Sequence, residues 1–144
     1  MEPLSFRPAT EADVPFLLEL RLKTMRPHLA AAGIVATEAE HLCRIRAAFN
    51  CAEVLLQAGN PVGLLKVVRE AHQWELVQIQ LAPSIQGKGF GTMLLQSLIT
   101  EARLQNASLR LSVLKANPAK HLYERLGFTV LAEKTDAYEM VLGT

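Results

Sequence analysis

The heptapeptide Gln86-Gly87-Lys88-Gly89-Phe90-Gly91-Thr92 holds three glycines at alternate positions, a spacing suited to gripping an anion through the backbone. Glycine has no Cβ to keep a ligand away and adopts positive φ at little cost, so a chain turning here exposes N–H groups as donors. The run that follows, Thr92 to Gln105, sets Leu94, Leu95, Leu98, Ile99 and Ala102 on one face at helical spacing. The glycines therefore belong at a helix N-terminus, where unpaired N–H groups and the positive end of the helix dipole favour phosphate. Two familiar phosphate loops do not fit. A Walker A loop needs a hydroxyl residue after its lysine to hold magnesium, whereas Lys88 is followed by Gly89. A dinucleotide fingerprint needs G-x-G-x-x-G with an acidic residue about 20 positions on, whereas here G-x-G-x-G is followed by Leu109-Arg110-Leu111. What remains is Q-x-x-G-x-G, made by Gln86, Gly89 and Gly91 after a strand ending in Leu81-Ala82-Pro83. Lys88 reads as a solvated loop charge that weakly favours phosphate.

The elements that must position this loop follow from periodicity and breakers. Leu4 to Pro8 reads as a first strand, and Thr10-Glu11-Ala12-Asp13 as a capping-box start for a helix to about Met25, which Pro27 ends or kinks. A second helix is expected after Thr37, running to about Asn50 with Leu42, Ile45 and Phe49 inward. Glu53 to Gln57 and Val62 to Glu70 form a hairpin about the turn Ala58-Gly59-Asn60-Pro61. Trp74 to Leu81 joins them as a meander, with Trp74, Leu76 and Ile79 on buried sides. After the long helix, Leu109, Leu111 and Val113 alternate with polar residues as a strand, and Asn117-Pro118 opens a short helix with proline in the first position. Gly127 caps it, and Phe128 to Leu131 and Tyr138 to Leu142 complete the sheet.

Composition narrows the function classes. A chain of 144 residues, half hydrophobic and 20% charged, is expected to form a single domain over residues 1–144. A net charge of +1 gives no reason to expect nucleic acid. Cys43 and Cys51 show no metal-ligand spacing and fit a reduced, cytoplasmic protein without a metal. No signal peptide is evident, and no apolar run approaches the roughly 18 residues of a membrane span. His28, His41, His72 and His121 are scattered and read as surface or satisfied side chains. Met25, Phe49 and Trp74 read as core, and Arg44 and Arg46 as a solvated face, with contact to an acidic ligand as their alternative.

Two stretches, LAPSIQGKGFGTMLLQ from Leu81 and NPAKHLYERLGF from Asn117, resemble the acetyl-CoA-binding core of the GNAT superfamily of N-acetyltransferases. The order of elements over almost the whole chain agrees, while the first 60 residues match in outline only. The resemblance implies an α/β (α+β) fold: a mixed, mostly antiparallel, twisted and splayed sheet flanked by about four helices. It implies acetyl-CoA as cosubstrate, its pyrophosphate on the backbone of Gly87, Lys88, Gly89, Phe90, Gly91 and Thr92 with Gln86 opening the loop. It further implies that the pantetheine arm pairs with the strand segment Ile79, Gln80 and Leu81, that Asn117 touches that arm, and that Tyr123 faces the thioester sulfur. The bland alternatives are that Asn117 only caps a helix and that Tyr123 only anchors one. Arg26 and His28 lie where the family borders its acceptor, which implies a possible substrate contact.

The chemistry sets its own demands. An alkyl ammonium with pKa about 10.4 must lose a proton before it attacks an acyl carbon. Charge then builds on the thioester oxygen, which a fixed backbone N–H near Leu81 can stabilise. The departing thiolate needs a donor, and a phenol such as Tyr123 is suited to it. Relatives carry a glutamate base in stretches that here read Trp74-Glu75-Leu76-Val77-Gln78-Ile79 and Leu111-Ser112-Val113. The base is therefore Glu75, or a water chain held by Gln78, Ser112 or backbone carbonyls. The expected activity is direct acetyl transfer in a ternary complex to a small-molecule or peptide amine, since neither cysteine falls in the motif region. Another acyl donor, such as propionyl- or succinyl-CoA, fits as well. The alternative is a catalytically weak CoA-binding regulatory module, and the resemblance is compatible with a homodimer through the last strands.

Overall fold

The computed structural model describes residues 3–143. Strand β1 (Leu4–Pro8) turns into helix α1 (Val14–Ala31) around the Asp13 carboxylate. Arg7 donates to both its oxygens at 2.8 Å and Thr10 N–H to one at 2.8 Å. The Arg7 hydrogen bonds hold this carboxyl down at about 2. Helix α1 does not stop at Pro27 as its sequence suggests, and runs four residues beyond it. The proline removes one N–H from the ladder, but the real stop is Gly33 at φ +75, after which Ile34 N–H returns to the Leu29 carbonyl at 2.8 Å.

Helix α2 (Glu38–Arg46) starts as expected, with Thr37 and Glu40 bonding reciprocally, but ends before Asn50. The cause lies on strand β3 (Asn60–Glu70). The fully buried Lys66 ammonium donates to the carbonyls of Arg44 at 3.3 Å, Ile45 at 2.8 Å and Ala47 at 2.6 Å. The first two are carbonyls that another helical turn would have used, and a cation there suits the helix dipole. Burial pushes the Lys66 amine down to about 8.

The other strands are β2 (Ala52–Gln57), β4 (Gln73–Leu81), β5 (Ser108–Leu114), β6 (Thr129–Glu133) and β7 (Ala137–Leu142). Helix α3 (Phe90–Leu104) precedes β5, and α4 (Ala119–Arg125) follows it. The sheet runs β1-β2-β3-β4-β5-β7-β6, and only the β4–β5 pair is parallel. This mixed, mostly antiparallel sheet with its four helices is the expected fold class. The hairpin turn between β2 and β3 is tighter than the sequence suggests: Gln57 pairs with Asn60, leaving only Ala58 and Gly59, at φ 51 and 81, to turn. The last strand, β7, inserts between β5 and β6, so β6 forms the edge, with Val130 and Leu131 exposed.

A bulge in β4 settles which side chains reach the site. Lys66 pairs with Gln78 and Val67 with Leu76, leaving Val77 as an extra residue. The alternation therefore shifts phase. Trp74 and Leu76 before it, and Ile79 and Leu81 after it, pack on the α3 core with Leu94, Leu98 and Leu109. Gln78 and Gln80 turn to the opposite face, across from Lys66 and Leu64, where Leu64 packs with Leu17 and Leu20 of α1 and Ile45 of α2. Among the described residues no helix is long and apolar enough to cross a membrane.

Lys66→Met should leave the end of α2 with buried carbonyls that have lost their donor. A loss of about 2 kcal/mol is expected, read as a lower urea midpoint at unchanged slope. A midpoint equal to wild type would show that water replaces the ammonium.

Candidate active site

Strands β4 and β5 pair over only four residues, Gln73 with Ser108 to Leu76 with Leu111. Beyond them β4 keeps only β3, and β5 keeps only β7. The gap opens into a cleft of about 600 Å³, walled by Val77 to Gln80 of β4, Ser112 to Leu114 of β5, residues of α1 and α2, and Asn117 and Tyr123. The free edge of β4 faces this gap. Ala82 N–H donates to the Val62 carbonyl at 2.8 Å, and antiparallel alternation then turns the amides of Leu81 and Ile79 away from β3. The Leu81 carbonyl on that edge accepts from Gln86 Nε2 at 2.8 Å. Gln86 thus ties the glycine loop to the end of the open strand.

The loop itself departs from expectation at one glycine. Gly87 and Gly89 have φ +73 and +84, and Gly89 precedes α3, which begins at Phe90 rather than at Thr92. Gly91 is already inside the first helical turn, and a Cβ on it would meet Leu81 Cδ1 at 3.7 Å, an ordinary contact. The first amide bonded back into the helix is that of Met93, to the Gly89 carbonyl at 3.0 Å. Among the described residues, the amides of Gly87, Lys88, Gly89, Phe90, Gly91 and Thr92 have no protein acceptor. The Phe90 ring is buried in the core, so only its backbone belongs to the loop surface, and Lys88 is exposed. This is a row of bare donors at a helix N-terminus.

Asn117 serves both of its sequence readings. Its Oδ1 accepts from Ala119 N–H at 3.0 Å, which makes Ala119 the first residue of α4 and puts Pro118 just outside. The side chain also lines the cleft, with its NH₂ group uncommitted among the described residues. At the other end of α4, Gly127 takes φ +104 and Phe128 N–H returns to the Tyr123 carbonyl at 3.0 Å. The Phe128 ring meets Tyr123 edge-on, centroids 5.8 Å apart. These contacts fix Tyr123, which is 8% exposed and lines the cleft. Its hydroxyl has no bonding partner among the described residues, and burial pushes its pKa up to about 12.

Glu75 stands elsewhere. It precedes the bulge, is exposed, and borders a separate hollow of about 340 Å³ with Arg110 and Glu139. Ser112 lines both spaces. Arg26 and His28 do not line the cleft, whereas Met25 does, and so does Arg44. Arg46 pairs with Glu11 at 2.7 Å. The sequence reading missed the polar wall on the α1 side. Arg21 is buried, with Nε donating to His41 Nδ1 at 3.0 Å. That bond puts the ring proton of His41 on Nε2, and burial, Arg21 and Arg26 hold its pKa below the usual histidine range. Gln78 Oε1 and Gln80 Oε1 are buried with no donor. The available signal was an arginine four residues after Leu17 in an otherwise apolar helical stripe. Among the described residues no group of His, Cys, Asp and Glu is arranged to hold a metal.

A family model described as an acetyltransferase (GNAT) domain matches residues 47–130, from the end of α2 into β6. No curated protein matches the chain by sequence. Solved structures share the fold. An acetyltransferase from Thermus thermophilus aligns over 100% of both chains at 22% identity and TM-score 0.77. The PaiA N-acetyltransferase of Thermoplasma acidophilum, in complex with coenzyme A, aligns over 99% of both at 18% identity and TM-score 0.75. Spermidine N-acetyltransferase of Vibrio cholerae, in complex with CoA and spermine, aligns over 96% of this chain and 94% of its own at 23% identity and TM-score 0.68.

The glycines should respond differently to alanine. Gly89→Ala places a side chain at φ +84 and should cost about 1 kcal/mol, lowering the melting temperature and weakening coenzyme A in calorimetry. Gly91→Ala gains helix propensity without a clash and should melt no lower than wild type, with coenzyme A affinity within about threefold. The reverse order would refute the assignment of positive φ as the reason for Gly89.

Proposed function

The chain belongs to the GNAT family of acetyltransferases, and from that premise we propose that it moves an acetyl group from acetyl-CoA directly to a primary amine within a ternary complex, as one domain over residues 1–144. The observation that carries this reading is the parting of β4 from β5, which leaves an unpaired strand edge leading from the bare amides of the glycine loop to the Tyr123 hydroxyl. The residues suit the cosubstrate. The amides of Gly87 to Thr92 are donors for a diphosphate, and Ile79 and Leu81 offer backbone groups that an extended amide arm takes as an added strand. The Asn117 NH₂ is free to donate to the same arm. Acetyl-CoA supplies the activated thioester.

The side chains of the cleft then divide the work. The acceptor enters as an ammonium and must lose a proton. The Gln78 and Ser112 side chains, which both line the cleft, hold a water path. Because Ser112 also borders the hollow of Glu75, that carboxylate ends the relay and does not touch the amine. An unpaired β4 amide near Leu81 stabilises the oxyanion. The Tyr123 phenol, its pKa raised by burial, stays protonated throughout the working range and donates to the departing thiolate. No acyl-enzyme is required: Cys43 and Cys51 lie on and just after the α2 segment, outside the residues lining the cleft. One observation favours the weaker alternative, a regulatory module that binds CoA with little catalysis: Glu75 stands outside the cleft.

Tyr123→Phe separates these readings. Turnover should fall about 10²-fold, the low end of a general-acid contribution, while coenzyme A affinity stays within twofold. The wild-type rate should show no falling limb from Tyr123 below about pH 10, since its phenol titrates near 12. Undiminished turnover in the variant removes the proton-donor role, and absence of thiol release with a broad amine panel favours the module.

A further inference from the structure

We propose that the acceptor is a primary amine that also bears a carboxylate, of the α-amino acid class, with its carboxylate on the Arg21 guanidinium and its amine beside the Gln78 and Gln80 carboxamides. This rests on the acetyltransferase reading and names the substrate class of the same cleft.

Arg21 is 7% exposed on α1, and among the described residues it takes part in no ion pair. Its one bond goes from Nε to neutral His41, which fixes the plane of the guanidinium and leaves the Nη1 and Nη2 ends uncommitted. A buried guanidinium without a counter-ion is costly, and the end-on pair of Nη donors matches the two oxygens of a carboxylate. Arg44 lines the same wall, and Lys66 stands behind it, so the local field favours an anion. Of the acids bordering the cleft, Glu40 is held by the Thr37 cap, and Asp136 belongs to the β6–β7 turn.

The second half of the recognition lies on β4. The Val77 bulge turns Gln78 and Gln80 to the α1 face, and their Oε1 atoms are buried acceptors without donors. The two carboxamides line the cleft, and their oxygens can accept from N–H groups such as an amine supplies once the side chains turn toward it. Arg21 of α1 and the Gln78 and Gln80 carboxamides of β4 therefore line one small-molecule-sized space. A polyamine would bring only cations to a wall that already holds Arg21 and Arg44.

The test measures thiol release from acetyl-CoA with the twenty L-amino acids, their α-carboxamides, 2-aminoethylphosphonate and spermidine. Calorimetric titration of the same compounds into protein saturated with CoA gives a second readout. At least one amino acid should exceed its own carboxamide at least tenfold in kcat/KM or in affinity. Arg21→Met should shrink that ratio to within about threefold and Arg21→Lys should keep part of it, with the affinity for CoA alone unchanged in both. The wild-type ratio needs no variant to fold. The proposal is overturned if carboxamides, the phosphonate or spermidine serve as well as the acids. It is also overturned if no amino acid either reacts or binds, or if Arg21→Met weakens acids and amides equally. Titration of CoA alone separates the two levels: protein that binds CoA and acetylates only carboxamides or spermidine keeps the acetyltransferase reading and loses this one. Protein that does not bind CoA loses both readings.

Discussion

Four residue pairs hold β4 beside β5, and the site exists because the pairing stops there. Backbone N–H and C=O groups must find partners, so a strand that loses its neighbour in mid-sheet presents donors and acceptors to whatever enters. The Val77 bulge sits where the strands part, and it also reverses the faces of the residues that follow. One extra residue thereby gives β4 an apolar side anchored on the α3 core, a polar side turned to α1, and an edge open between them. A continuous ladder would have closed all three.

Helix ends are treated in two opposite ways. The C-terminus of α2 is filled by the Lys66 ammonium, and the N-terminus of α4 by the Asn117 carboxamide. Both ends hold their helix against the sheet. The N-terminus of α3 is left bare, because Gly89 has no side chain to cap it and the positive φ of Gly87 and Gly89 turns the loop away from the helix amides. The capped ends contribute stability, and the uncapped one is available for binding. Gln86 completes the arrangement by bonding to Leu81, so the loop and the strand edge form one continuous surface.

Buried charge is concentrated between α1, α2 and the polar side of the sheet, where Arg21, His41 and Lys66 meet. Lys66 is satisfied by three carbonyls. Arg21 is satisfied only in part, and it is the group that opens to the cleft. The contrast separates a buried cation that closes a helix from one whose outer nitrogens have no protein partner among the described residues. Burial, and then the neighbouring Arg21 and Arg26 guanidinium groups, hold the His41 pKa below the usual histidine range.

The amino-acid sequence by itself determined the local features: the positive-φ glycines before α3, the apolar face of that helix, the Gly127 stop that fixes Tyr123, and the order of the strands along the chain. Each is written in neighbouring residues, through backbone freedom, spacing or capping. Only the tertiary structure decided where α2 ends, because the cation that stops it comes from β3, and that α1 passes Pro27 to stop at Gly33. The tertiary structure alone also gave β7 its place between β5 and β6 and moved Glu75 out of the cleft. The α1 wall was likewise hidden: Arg21 occupies a core position in the helical pattern, and its place in the cleft beside Gln78 and Gln80 appears only when the Val77 bulge turns those residues to the same face. Such features arise from contacts between residues far apart in the chain, and periodicity within a segment carries no record of what will pack against it.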